Sequence, residues 1–132
     1  MRIENLRNLN TEAMAYMGDA VYEQAVREKL LREGHLRVDN LHRMAVRYVK
    51  AEAQAKAIKE MFSELDEAEQ ALVKRARNHK YHSKAKHADP LTYKWATAFE
   101  ALVGYYYLAE EDERLDWFLE KAFSIIGESH GK

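Results

Sequence analysis

The chain has 132 residues, 47% hydrophobic and 33% charged, with one proline, five glycines and no cysteine. That length suits one domain built on one core; the lack of cysteine excludes a disulfide framework and Cys-ligated zinc, and fits a reducing compartment, the cytoplasm being the expected one. A formal net charge of −1, taken as a total, argues against a nucleic-acid partner, because such proteins usually carry a basic excess.

Low proline and glycine, with abundant Ala, Leu, Glu, Lys, Arg and Met, predict an all-α chain. No stretch alternates apolar and polar residues long enough for a strand. The first helix is expected over about Thr11 to Glu33, capped by Asn10 and stopped by Gly34. The second starts after Asp39, with Leu41, Met44, Tyr48, Ala51, Ala55, Ile58 and Phe62 forming one continuous stripe. A third follows Asp66 over about Glu67 to Asn78, and Glu69 completes a capping box. The basic segment from about His79 to Asp89 has no helical stripe and reads as a mobile loop. Asp89-Pro90 starts a fourth helix reaching about Ala109. A fifth, about Asp112 to Ile126, puts Leu115, Phe118, Leu119, Ala122 and Phe123 on its inner face. No apolar run approaches the ~18 residues of a membrane span, and the start MRIENLRNLNTE is too charged for a signal peptide, so no membrane partner is expected.

Two carboxylates stand alone in apolar helices. Asp19 is the only charge in AMAYMGDAVY, and Glu100 the only charge in WATAFEALVGYYYLA. A buried carboxylate is costly unless it is paired or metal-bound. Gly18 precedes Asp19 and Gly104 lies one turn after Glu100; glycine inside a helix costs roughly 1 kcal/mol against alanine, so close approach of two helix backbones is a compensating reason. On spacing alone two readings stay open. Each acid pairs with an Arg or Lys from a neighbouring helix, or the two converge and hold a hard divalent cation through oxygen ligands. Glu23, one turn after Asp19, could share a cation but begins the charged half of its helix.

The net charge conceals its distribution. Lys74, Arg75, Arg77, Lys80, Lys84 and Lys86 fall between positions 74 and 87 with three histidines and no acid. On the second helix Arg43, Arg47 and Lys50 recur opposite the apolar stripe as a basic ridge. Against them, positions 100 to 120 hold seven acids and only Arg114. Such a loop and ridge suit phosphate contact, which releases counterions, and backbone rather than base recognition; a merely solvated charge run is the alternative. His79, His82 and His87 lack the cysteine, tight helical pair and acidic support of a zinc site. Glycine-rich phosphate loops, nucleophile elbows and HExxH are absent.

Tyr16-Met17-Gly18-Asp19-Ala20-Val21 resembles the signature helix of the ribonuclease III catalytic domain. Thr97-Ala98-Phe99-Glu100-Ala101-Leu102-Val103-Gly104 resembles that family's second acidic motif. Leu41-His42 and Val49-Lys50-Ala51-Glu52-Ala53-Gln54-Ala55 are similar to its intervening helix, and the likeness covers about Asn10 to Ile126. Arg77-Asn78 before a basic loop, then Tyr93 and the Ala-Thr-Ala-Phe-Glu-Ala-Leu run, resemble the short bacterial branch that has the catalytic domain without an appended double-stranded-RNA-binding domain.

The resemblance implies an all-α, dimeric helical bundle, one catalytic domain over residues 1–132, that cleaves double-stranded RNA to 5′-phosphate and 3′-hydroxyl ends. It implies magnesium (Mg2+), with manganese (Mn2+) as a substitute, held by Asp19 and Glu100. In the short branch it implies a stem formed by the ends of the 23S-type large-subunit rRNA precursor as substrate, and a large-subunit ribosomal protein as helper. Arg43, Arg47, Lys50, Lys74, Arg75, Arg77, Lys80, Lys84 and Lys86 are the expected RNA-binding residues. The family usually has two further acids, where Ala15 and Thr97 stand here. Magnesium tolerates few protein ligands when water and phosphate complete its octahedron, so an active site remains expected. The alternatives are a catalytically inactive RNA-binding or ribosome-assembly module, and a helical protein-interaction domain with no RNA role.

Overall fold

Helix ends in this chain are set largely by side chains within four residues of them. A computed structural model describes Leu6, residues 9–79 and residues 89–129; Lys80, Lys84, Lys86, His82 and His87, and with them nearly all of the expected loop, lie outside the described residues. Helix α1 spans Thr11–Arg32, with the Ala13 N–H donating to the Asn10 side chain at 2.7 Å. Gly34, with φ of 95°, turns the chain where a side chain would be strained. Helix α4, Glu67–Asn78, carries the complete Asp66/Glu69 capping box. Helix α5, Pro90–Leu108, begins with proline after the Asp89 cap, and α6 covers Asp112–Ser129. No strand occurs among the described residues, and no helix there is long and apolar enough to cross a membrane.

The expected second helix is two helices. Helix α2 is Val38–Val49 and α3 is Ala51–Met61, separated by Lys50 in extended conformation (φ −67°, ψ 153°). Continuity would commit the Tyr48 and Val49 carbonyls to amides four residues on. Instead the buried Tyr22 hydroxyl donates to the Tyr48 carbonyl at 2.8 Å and the Gln54 amide to that of Val49 at 3.3 Å. The Ala53 and Gln54 N–H groups both turn to the Lys50 carbonyl. Two side chains from the core therefore satisfy the groups that the break frees, which local periodicity does not reveal. Lys50, exposed at the break, is therefore not part of the helix that carries Arg43 and Arg47. Those two stay exposed on α2, which has no fully buried residue.

Helix α5 is the centre of the packing and touches α1, α3, α4 and α6. Its residues Ala96–Phe99, Ala101–Gly104 and Tyr106 are buried, so it is apolar nearly all round, as a helix enclosed by others must be. Phe99 is the hub: its ring lies 4.8 Å edge-on from Tyr22 and 5.1 Å from Phe118, contacts worth about 0.5–1.5 kcal/mol each beyond area burial. On α6, Leu115, Phe118, Ala122 and Ile126 are buried, with Leu119 and Phe123 half-buried against them. A second tie crosses the core. Arg114 grips both oxygens of the buried Glu69 at 2.7 Å, and the Tyr106 hydroxyl donates to the same carboxylate at 2.8 Å.

Candidate active site at the α1–α5 crossing

Gly18 and Gly104 place α1 directly against α5. A Cβ on Gly18 would fall 1.7 Å from the Glu100 carbonyl oxygen, and one on Gly104 would fall 1.9 Å from that of Met14. Backbone therefore packs on backbone at this crossing. The contact carries Asp19, exposed on α1, to the half-buried Glu100 on α5.

The two acids interact directly. Burial raises the Glu100 carboxyl most, the Asp19 charge and a side-chain hydrogen bond with Asp19 raise it further, and together they push it up to about 8. Gln54, 2% exposed, opposes this with a side-chain hydrogen bond to Glu100. Burial, then the neighbouring Tyr48 and Glu100, hold the Tyr22 phenol far above its ordinary range, so it stays a neutral donor.

Among the described residues neither Asp19 nor Glu100 joins an ion pair. Nor does a third His, Asp or Glu complete a group able to hold a metal. Glu23 is turned to Arg27, 3.2 Å away. Ala15 is buried in the core, and the Thr97 hydroxyl donates to the Tyr93 carbonyl at 2.9 Å along its own helix. Neither position offers a carboxylate in place of the acids that the wider pattern has. The donor set is two carboxylates braced by one carboxamide. Two adjacent acids, one of them desolvated and neither neutralised by a described cation, suit a hard cation with open coordination positions.

The expected basic residues are only partly brought together. Lys74, Arg75 and Arg77 share the last two turns of α4. Two residues of helix turn the chain about 200°, so Arg77 rests on the Trp95 ring, 5.0 Å from its centroid. Arg75 instead borders a cavity of about 620 Å³ with Met14, Leu72 and Leu102. Gln54 is not among the expected site residues, because Glu52 and Lys56 stand two positions either side of it and nothing local marks it as buried. Arg114 also escapes notice, because Glu69 lies 45 positions away.

Comparison with known proteins accords with this geometry. The family described as Ribonuclease III domain matches residues 12–111. A protein named mini-ribonuclease 3 from Symbiobacterium thermophilum is 49% identical over 126 residues, covering 96% of this chain and 97% of its own. Another of that name from Enterococcus faecalis is 41% identical over 132 residues, covering 98% and 100%. The crystal structure of a Fusobacterium nucleatum protein superposes with a TM-score of 0.83 at 27% identity, covering 96% of this chain and 97% of that one.

Proposed function

Since this chain belongs to the ribonuclease III family and is an endoribonuclease acting on double-stranded RNA, we propose that Asp19 and Glu100 are its catalytic carboxylates and together hold the magnesium ion that cleavage needs. The observation that carries this is the meeting of two acids across the Gly18–Gly104 contact with no described cation between them. A divalent ion bound there supplies positive charge against the developing charge on the phosphate and on the attacking water, and manganese serves in place of magnesium. The chain's own part is positioning. Gln54 steadies the Glu100 carboxyl from α3, and the packed glycines set its separation from Asp19. With two acids instead of four, affinity for the ion before RNA binds is weak.

The substrate we assign is the stem formed by the ends of the 23S-type large-subunit rRNA precursor, with a large-subunit ribosomal protein placing the enzyme, in the cytoplasm. A homodimer presents two such sites, one for each strand. Arg43, Arg47, Lys50, Lys74 and Arg77, with Lys80, Lys84 and Lys86, hold the phosphates, whereas Arg75 faces away from them. Asp19→Asn tests the central claim: cutting of a structured RNA in magnesium is expected to fall by at least about a hundredfold. Cutting at the wild-type rate overturns it. The precursor end stem, incubated with and without magnesium, tests the substrate; an uncut stem alongside a cut unrelated duplex rejects that assignment.

A further inference from the structure

Among the described lysines and arginines, Arg27, Lys29, Arg32, Arg37, Lys56, Arg114 and Lys121 sit in ion pairs. Lys59, Lys74 and Arg77 are in none among the described residues, and they converge on one aromatic pair. Phe62 and Trp95 meet edge to face at 6.3 Å. Lys59 Nζ stands 5.8 Å from the Trp95 ring centroid, Arg77 Cζ 5.0 Å from the same centroid, and Lys74 Nζ 5.8 Å from that of Phe62. The rings hold the cations by their faces and leave them un-neutralised. The sequence keeps them so. No acid stands three or four positions from any of the three, the spacings at which helical charges pair, and Lys74 and Arg77 are themselves like-charged neighbours at that spacing.

The position of this cluster is set by the same helices that build the acid pair. Gln54 of α3 reaches Glu100 of α5, and five residues on along α3 Lys59 reaches Trp95, five residues back along α5. The two helices thus run antiparallel in one register, with two sites separated by about 7.5 Å of helix. That separation is short enough for one RNA strand with its scissile phosphate at Asp19 and Glu100 to bring another of its phosphates to Lys59 and Arg77.

We propose that Lys59, Arg77 and Lys74, mounted on Trp95 and Phe62, form an anion subsite that binds an RNA backbone phosphate near the cleaved bond. Lys59 is the new member, since nothing in the charge runs of the sequence connects it with Arg77. The proposal rests on Asp19 and Glu100 being the scission centre, and its test is made independent of cutting. Binding of a short blunt RNA duplex is measured in the Asp19→Asn protein with magnesium across a salt series. Lys59→Ala should weaken binding severalfold and make the log–log salt slope shallower by about 0.9 for the lost phosphate contact, and Lys59→Arg should restore both. Lys56→Ala, which removes a likewise exposed but Glu60-paired charge from the same helix, should change neither. The proposal is overturned if Lys59→Ala binds with parental affinity and slope, or if Lys56→Ala weakens binding as much. Failure of the scission reading would appear elsewhere, as cutting by the Asp19→Asn protein.

Discussion

Gly18 and Gly104 face each other across two helices with no space for a side chain on either. A Cβ at Gly104 would lie 1.9 Å from the Met14 carbonyl oxygen and 3.0 Å from the Gly18 nitrogen. These atoms are backbone on both sides, so relief requires moving a whole helix. The next residue along α1 is Asp19, and the oxygen that a Cβ on Gly18 would strike belongs to Glu100 itself.

Gly104→Ala should therefore cost about 3 kcal/mol or more in denaturant unfolding, above the usual range for one added methyl group, despite alanine's better helix propensity. The variant that does fold should cut RNA more slowly, because α1 must shift relative to α5 and carry Asp19 away from Glu100. Unchanged unfolding midpoints would show that the crossing is not close-packed.

The Glu100 carboxyl provides a pH signature. Its folded value of about 8 lies above the ordinary 4.5, so across that window the folded protein holds a proton that the unfolded chain has released. Stability of the metal-free protein should fall as pH rises from 4.5 towards 8 and level off above. Glu100→Gln removes the ionisation and should be more stable than the parent above pH 8 while losing cleavage. Divalent ions should raise the melting temperature of the parent most at high pH and that of Glu100→Gln least. Thermal scans across pH, with and without magnesium, read all of these.

The Glu69 carboxylate behaves oppositely. Burial raises its pKa, but hydrogen bonds from Arg114, from the Asp66 backbone and from Tyr106 outweigh that and hold it below the usual 4.5. Its contribution is present above the unfolded value and lost as pH falls through the folded one. Arg114→Met strands a buried carboxylate and should cost roughly 3 kcal/mol at neutral pH, since breaking such a pair is far worse than replacing it whole. Replacing Glu69 by Gln in the same protein should recover part of that loss. Urea titrations of the single and double variants measure the coupling.

Local features were legible where their partners are local. Asn10, Asp66 with Glu69, and Asp89 each cap a helix through an amide three residues on, and that spacing is written in the sequence. The break at Lys50 was not legible, since the apolar positions run through it with unbroken period. It depends on Tyr22, 26 positions from the Tyr48 carbonyl it binds. The acids of the candidate site stood out because a charge in an apolar helix is anomalous without any knowledge of its neighbours. Gln54 did not stand out, because an amide among alanines is unremarkable until its helix is seen against Glu100.

By itself the sequence determined an all-α chain, the capped starts of α1, α4 and α5, the family to which it belongs, and two isolated carboxylates each next to or one turn from a glycine. Tertiary structure alone decided that those glycines touch each other, that Gln54 braces one acid, and that Lys59 shares Trp95 with Arg77 while Arg75 turns away. The physical reason is range. Caps and helical periodicity act over three or four residues of one chain segment. The meeting of α1, α3 and α5 depends on how whole faces pack, and the break at Lys50 resets the direction in which α3 presents its side chains.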